Sequence, residues 1–303
     1  MAIALNVTLV IFMVGSLLEV GLRIELAKAR SAIGNIRFLV LTVLVCFVLG
    51  PGLAVVLTKI LPLAPPYALG MIMLGMVPCS PANNMFVPRA RASLEYFTVF
   101  MLLAFGGTIV LMPIMVPWLA TGFSADAWTI AKPLVLFIAL PGILGTTVRL
   151  VAKDFAEKSA PIVKLVTGID TILMVAIALW MYRSELLSTF GTYAIGTQIL
   201  YYALAGAAAY ALASGLPYEQ KAVLTLGVAT RNVGPALATV LAVPDTDVGA
   251  IAMCILATFL GAILSGFVWS AALARFFAPE VATAAPGPTA NEESTTEHSE
   301  VKS

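Results

Sequence analysis

The chain has 303 residues, of which 60% are hydrophobic and only 11% are charged, and its formal net charge is +1. The mean hydropathy is +1.00, a value that soluble domains do not reach because their surfaces must be wetted. The composition therefore predicts an integral membrane protein with the lipid bilayer as its surroundings, and a balanced charge argues against binding to nucleic acid.

Apolar windows of about 20 residues, the length of a helix that crosses the hydrocarbon core, follow one another along the chain. We count nine predicted spans, at residues 3–22, 37–58, 67–87, 96–119, 131–151, 162–182, 195–213, 219–243 and 247–275. The first starts almost at Met1, with no basic segment before it and no small-residue cleavage site after it. It is therefore predicted to be a span and not a removable signal. The predicted fold is an all-α polytopic membrane protein.

Residues 278–303 are rich in Ala, Pro, Thr, Ser and Glu and offer little to bury. They are predicted to form a disordered cytoplasmic tail after a transmembrane domain of residues 1–277. Lys and Arg residues collect on one side of the predicted spans, and only Lys59, Lys132 and Arg183 fall on the other side. Because basic loops stay inside, we expect the N-terminus outside and the C-terminus in the cytoplasm, in the cell (inner) membrane.

The third predicted span is interrupted by prolines. It reads LGMIMLGMVPCSPANNMFVPRA, in which Pro78 and Pro81 precede Asn83 and Asn84. Proline lacks the backbone N–H and clashes with the preceding helical turn, so it frees backbone polar groups at membrane depth. Such groups are tolerated only where they line a cavity or meet other protein groups. The two asparagines are therefore predicted to bind these groups or a ligand.

The eighth predicted span carries a matching interruption. It reads LTLGVATRNVGPALATVLAVP, in which Thr230, Arg231 and Asn232 precede Gly234 and Pro235. Each interrupted span is the third of a four-span set when spans one to four are matched with spans six to nine. The repeat halves are then residues of about 1–120 and 162–277, and 131–151 is an extra span. Since matching spans of the two sets are five positions apart, an odd number, the sets have opposite orientations, and an inverted repeat with two broken crossover helices is typical of a secondary transporter.

Arg231 lies near the centre of the eighth span. An unpaired arginine at this depth costs several kcal/mol on insertion scales. We therefore expect Arg231 to face a cavity or to pair with a carboxylate. The intramembrane candidates are Glu19 in the first span and Asp170 in the sixth. A paired carboxylate could also gain and lose a proton, which would permit proton coupling. The alternative is a salt bridge that only fixes helix packing.

Three stretches of the sequence resemble one family of membrane proteins. The segments VPCSPANNMFVPRARASL and GLPYEQKAVLTLGVATRNVGPALA resemble the two crossover helices of the bile acid:sodium symporter family, and FMVGSLLEVGLRIEL resembles its early helix. The resemblance extends over residues of about 5–275. It implies a ten-helix inverted-repeat fold without its first helix, divided into core and panel domains, and transport of organic anions, from bile salts to small carboxylates, with sodium.

The chain departs from the family at the positions that bind sodium. Where the family has a glutamate and a glutamine, this sequence has Gly227 and Arg231, and the family's hydroxyl ligands fall near Phe97 and Met101. Apolar side chains do not coordinate a hard cation. The resemblance therefore leaves Asn84, and less firmly Asn83 and Asn232, as binding residues, and sodium as a doubtful ion. A guanidinium at Arg231 would supply permanently the positive charge that bound sodium supplies.

Other classes of function fit the sequence less well. No predicted span contains a histidine, and Cys46, Cys79 and Cys254 lie in apolar stretches without metal or disulfide spacing. We therefore predict no metal site, no cofactor and no enzyme. The sequence favours a secondary transporter of small organic anions, with a proton-coupled or facilitative carrier as the alternative and a non-transporting membrane sensor as a third possibility.

Overall fold

In the computed structural model, the described residues are 1–24, 26–120, 126–243 and 247–277. The helices in chain order are α1 (Ala2–Arg23), α2 (Leu26–Ile33), α3 (Ile36–Ile60), α4 (Pro65–Gly75), α5 (Leu94–Leu119), α6 (Ala127–Val151), α7 (Lys153–Met181), α8 (Arg183–Ser188), α9 (Ala194–Leu212), α10 (Tyr218–Val228), α11 (Val233–Leu241) and α12 (Val248–Phe259). Within these ranges there is no β-strand, only one isolated bridge between two residues. The prediction of an all-helical membrane protein is confirmed.

Six of these helices, α1, α3, α5, α6, α7 and α9, are long and apolar enough to cross a membrane. They correspond to six of the nine predicted spans. The third and eighth windows are each divided into short helical segments, and in the last window α12 is followed by π-helical turns (Leu260–Trp269). A count of nine spans thus remains a prediction, and the predicted tail lies outside the described residues.

Two of the long helices contain a π-helical turn immediately before a proline. In α3 the turn is Val45–Leu49 and Pro51 follows it, while in α6 the turn is Val135–Ala139 and Pro141 follows. A proline has no N–H to donate and its ring crowds the carbonyl one turn back, so widening of that turn relieves both problems. Both helices therefore continue across their prolines.

Helices α1, α6 and α7 pack side by side as one layer. Glycines permit this closeness: a Cβ atom on Gly145 would lie 2.5 Å from the Leu18 carbonyl oxygen, and one on Gly21 would lie 2.6 Å from the Gly142 carbonyl oxygen. Helices in a bilayer associate through close van der Waals packing of this kind, because lipid tails compete with apolar side chains. The layer therefore depends on backbone contact between α1 and α6.

The remaining helices form a second group, whose ends identify the two faces of the molecule. Asn35 donates to the Tyr96 hydroxyl (3.4 Å) and to Gln220 Oε1 (3.2 Å), so α3, α5 and α10 all begin at one face. At the other face Gly249 packs against Pro66, where α12 and α4 begin. Consequently α4 and α10 enter the molecule from opposite faces.

The close contact between α1 and α6 can be tested with two glycines three residues apart on α6. We expect Gly145→Ala to lower the thermal stability in detergent, by about 1–3 kcal/mol, because the added methyl group overlaps the α1 backbone. Gly142→Ala is the matched control, since a Cβ atom there meets no atom within 4 Å. Equal melting temperatures for the two variants would contradict the packing described for this layer.

Candidate functional site

Both interrupted windows contain a short non-helical segment. The first lies between the end of α4 at Gly75 and a 3₁₀ helix (Pro81–Met85), and within it Cys79 has a φ of +63°. The second separates α10, which ends at Val228, from α11, which begins at Val233. Each break thus brings two short helix ends together inside the molecule.

The two non-helical segments pair with each other. Pro78 and Arg231 lie opposite each other in an isolated antiparallel bridge. The Cys79 N–H donates to the Thr230 carbonyl (3.1 Å), and the Asn232 N–H donates to the Val77 carbonyl (2.9 Å). These bonds flank the Pro78–Arg231 pair, so the bridge uses no N–H at the proline position. Backbone groups freed by one break are therefore satisfied by the other.

The predicted polar residues have different surroundings at this crossing. Asn83 is buried, and its Nδ2 donates to the Leu226 carbonyl (3.0 Å) and to the Thr230 hydroxyl, which in turn donates to Leu226 (3.2 Å). Asn84 is exposed, whereas Asn232 is buried and its side chain forms no hydrogen bond to the described residues. Asn83 and Thr230 thus tie the two breaks together, and the amide of Asn84 is available to a ligand.

Arg231 lies in an enclosed position against α3, α4 and α9. The residue is only 3% exposed, and its Nη1 donates to the carbonyl of Gly75 (3.3 Å), the last residue of α4. Its guanidinium carbon lies 4.9 Å from the centre of the Tyr201 ring. The carbonyl end of a helix and the face of an aromatic ring both attract a cation. The positive charge is therefore met by neutral groups.

Gly50 shapes the space that the guanidinium occupies. A Cβ atom at this position would lie 3.0 Å from Arg231 Nη2, 3.2 Å from Nη1 and 2.9 Å from the Gly75 carbonyl oxygen. The Gly50 carbonyl also accepts a hydrogen bond from the Tyr201 hydroxyl (3.2 Å), which holds the ring in place. Within the described residues Arg231 Nε and Nη2 have no hydrogen-bond partner. The site therefore holds a fixed, enclosed cation with two donors that no described residue satisfies.

The two carboxylates considered as partners of Arg231 lie elsewhere. Glu19 forms an ion pair with Arg23 on its own helix, with 2.9 Å between Oε1 and Nε. Asp170 is buried on α7, and its Oδ2 has no hydrogen-bond partner among the described residues. Neither contacts Arg231, because the guanidinium faces α3 and α9 whereas both carboxylates belong to the α1, α6 and α7 layer.

Aromatic rings fill the positions at which the family resemblance places sodium ligands. A Cβ atom on Gly227 would overlap the ring of Phe100, and the Phe100 and Phe97 rings stack with their centres 6.4 Å apart. Phe97, Phe100 and Met101 are all buried. A sodium ion needs several oxygen ligands, so these residues do not fit the ion. The described residues also contain no group of three His, Cys, Asp or Glu side chains that could hold a metal ion.

A cavity of about 380 Å³ lies between α1, α5 and α6. Its lining is apolar except for Thr146 and Thr147, and it reaches Ile24 at the end of α1. The 3₁₀ helix of the first break contacts two of the same helices, α1 and α5. Towards the opposite face, where Leu9 and Met174 meet Gly234, the gap between the same two helix groups is only about 20 Å³. Arg231 lines neither space.

The described chain is thus a multi-pass helical membrane protein with two interrupted helices paired at their breaks and a cavity beside them. A sequence profile of the Sodium Bile acid symporter family matches residues 8–190, which include the first break. The chain belongs to this family, whose members are membrane transporters, and the family prediction is confirmed. No curated protein matches the chain significantly.

Three residues that shape the crossing were not predicted from the sequence. Tyr201 is one of two adjacent tyrosines in an apolar helix, and Phe100 is one aromatic residue among several in α5. Gly50 stands in a Gly-Pro-Gly sequence, which marks a bend but does not indicate what approaches it. Their roles arise from contacts with residues more than a hundred positions away in the chain.

The fit between Gly50 and Arg231 leads to a second prediction. We expect Gly50→Ala to lower the melting temperature and the yield of folded protein, because the methyl group displaces the guanidinium from the Gly75 carbonyl and from the Tyr201 ring. Overpacking of this kind costs about 1–3 kcal/mol. Gly52→Ala on the same helix is the control, since its added atom meets nothing within 4 Å. If both variants unfold at the same temperature, Gly50 does not hold Arg231 in place.

Proposed function

We propose that the protein is a sodium-independent secondary transporter of organic anions that works by alternating access. The observation that supports this most strongly is the pairing of two interrupted helices, break against break, at Pro78 and Arg231. Breaking two membrane helices frees polar backbone groups, and proteins accept this mainly where a substrate or ion must bind at membrane depth. We further propose the orientation predicted above, with the basic face in the cytoplasm of the inner membrane.

The packing around the breaks favours the inverted repeat. Helix α4 precedes the first break and packs against α12, which follows the second break. In the same way, α10 precedes the second break and packs against α5, which follows the first break. An approximate two-fold axis between the breaks would produce this reciprocal exchange. In this proposal the layer of α1, α6 and α7 is the panel domain and the other long helices form the core domain.

The two spaces between the panel and core domains differ greatly in size. The cavity reaches the α1 end that carries Arg23, on the basic face, while the gap at Leu9 and Met174 is closed. Alternating access requires one side to be open while the other is shut. We therefore propose that this conformation is open to the cytoplasm, and that rocking of the core against the panel exchanges the two sides.

The cavity lining indicates the class of substrate. Residues such as Leu17, Leu102, Phe105 and Ile138 favour an apolar body, and Thr146 and Thr147 offer hydroxyl groups to a polar end. A cavity of about 380 Å³ lies within the range of ligand sites in proteins. These features favour an amphipathic, bile-acid-like anion over a compact keto acid, and the 3₁₀ helix that carries exposed Asn84 contacts α1 and α5, two of the helices that line the cavity.

Arg231 explains how an anion could be carried without sodium. A guanidinium stays charged at every physiological pH, so its field acts on the crossing and the adjoining cavity without a bound ion. Low-polarity surroundings strengthen this effect, because they screen the charge less than water does. The loss of a carboxylate at Gly227 and the gain of a cation at Arg231 act in the same direction, and both favour a negative substrate.

Sodium independence can be measured in proteoliposomes with a radiolabelled sterol acid. We expect uptake to change by less than about twofold when sodium is replaced by potassium or choline at constant ionic strength, because the positive charge of Arg231 is permanent. The Gly227→Glu variant should gain no sodium stimulation, since Phe100 occupies the space for the side chain. Collapse of wild-type uptake on removal of sodium would refute this part of the proposal.

The cavity can be tested by filling it. Gly106 lines the cavity and a Cβ atom there meets nothing within 4 Å, so Gly106→Phe should fold and project into the open space. We expect at least a tenfold loss of sterol-acid uptake, roughly the effect of 1.4 kcal/mol or more of lost binding. Gly168→Phe is the control, because Gly168 is equally unobstructed but lies on exposed α7 surface. Binding of the anion without accumulation by wild type would instead favour a membrane sensor.

A further inference from the structure

Asp170 is a buried carboxylic acid in the middle of a membrane-spanning helix. It lies eleven residues before the end of α7, about 16 Å along the helix axis, and it is 7% exposed. Its side chain forms no hydrogen bond or ion pair within the described residues, and Oδ2 is completely enclosed without a partner. The role suggested by the sequence, as a charge partner for Arg231, does not account for this arrangement.

Among the residues that the structure describes, no cation forms an ion pair with Asp170 that would compensate an ionised carboxylate. On α1, Glu19 and Arg23 form an ion pair with each other. On α6, Arg149 forms an ion pair with Glu157. Lys132 lies near the N-terminal end of α6. On α8, Arg183 donates to the Trp180 carbonyl beside Glu185, and the α12 segment Val248–Phe259 has no charged residue. On α7 itself the nearest charged residue is Lys164, which is exposed and about 9 Å away along the axis. None of these groups forms an ion pair with Asp170.

The position of Asp170 links it to the closed gap. Thr167, Asp170, Met174 and Ala178 share the buried face of α7, and Thr167 packs against Gly15 of α1. Met174 and Ala178 line the small gap, together with Leu9 of α1 and Gly234 of the second break. Asp170 is thus one helical turn from the point at which the panel closes against the core.

We propose that Asp170 is a proton-binding site, occupied when the face opposite the cavity is closed and emptied when that face opens. An ionised carboxylate with no partner is strongly disfavoured at membrane depth, so the closed arrangement holds the neutral acid. Opening the gap one turn away admits water, which stabilises the carboxylate and releases the proton. The inference rests on the proposed alternating access.

The proton balance follows from the geometry. Closing the gap transfers one proton from the water on that side to a carboxylate oxygen of Asp170, and opening it returns the proton to the same side. No proton crosses the membrane in this cycle. The proton therefore controls the conformational equilibrium, and low pH on the side of the gap favours the conformation described here.

Access to the gap can be measured without a substrate, in protein reconstituted in lipid nanodiscs. A Leu9→Cys variant reports opening through its rate of modification by a water-soluble maleimide, because Leu9 is 4% exposed and lines the closed gap. Native Cys46, Cys79 and Cys254 are all buried. The rate is divided by that of a separate Ser184→Cys variant on the exposed surface of α8, which corrects for the pH dependence of thiol reactivity.

We expect the corrected rate for Leu9→Cys to rise between pH 5.5 and pH 8, by up to about tenfold per pH unit, because one proton is released on opening. Combined with Asp170→Asn, which mimics the neutral acid, the rate should be low and independent of pH. Asp170→Leu, which also cannot titrate, should give the same flat profile. Asp154→Asn removes an exposed carboxylate from the same helix and should leave the parental profile unchanged.

A flat profile in the Leu9→Cys parent, or an unchanged profile after Asp170→Asn, would overturn the assignment of Asp170 as the proton site. The experiment also separates this inference from the proposed transport. A protein that shows the Asp170-dependent profile but accumulates no organic anion in proteoliposomes would support the proton site and count against transport.

Discussion

The backbone groups released by two broken membrane helices must be satisfied inside the protein, and this requirement governs the structure. The two non-helical segments satisfy these groups by hydrogen bonding to each other, Cys79 to Thr230 and Asn232 to Val77. Since each break completes the other, the two helices are held in one register and in antiparallel directions. The arrangement also directs the carbonyl end of α4 at the crossing, where a cation can be held without a carboxylate.

Arg231 illustrates how such a position is made tolerable for a charge. The guanidinium donates to the Gly75 carbonyl and lies over the Tyr201 ring, and Gly50 leaves room for it. Lysine could not reproduce this geometry, because its charge is compact and strongly hydrated. Across the same crossing, Phe100 occupies the space beside Gly227, so an aromatic ring stands where the family resemblance places an ion. In the proposed function these two changes act together, because the permanent positive charge of Arg231 replaces the charge of a bound sodium ion.

The spaces between the panel and core groups differ in size at the two faces of the molecule, and Asp170 on α7 lies near the face where the gap is closed. The cavity has a volume of about 380 Å³ and the gap only about 20 Å³, and near the gap Gly234 of the core group packs closely against Met13 of α1. A glycine at this contact lets the two helix groups approach closely. In the proposed cycle, rocking of the helix groups would change the hydration of Asp170, one turn from the gap, more than that of Arg231, which is enclosed by neighbours in the core group.

The sequence by itself determined the membrane class and the family, and it indicated that the third and eighth windows are interrupted, because apolar length and proline chemistry act locally. It did not locate the second interruption, since Gly234 and Pro235 lie inside α11 and the helix is broken before them. It indicated Asp170 and Glu19 as partners for Arg231, since opposite charge is the only criterion for pairing that can be applied without coordinates. Only the tertiary structure decided that the arginine meets Tyr201 and a helix-terminal carbonyl, and that Asp170 stands apart from it. Carbonyl groups occur in every residue and tyrosines are common in membrane helices, so their selection as partners depends on helix packing between distant parts of the chain.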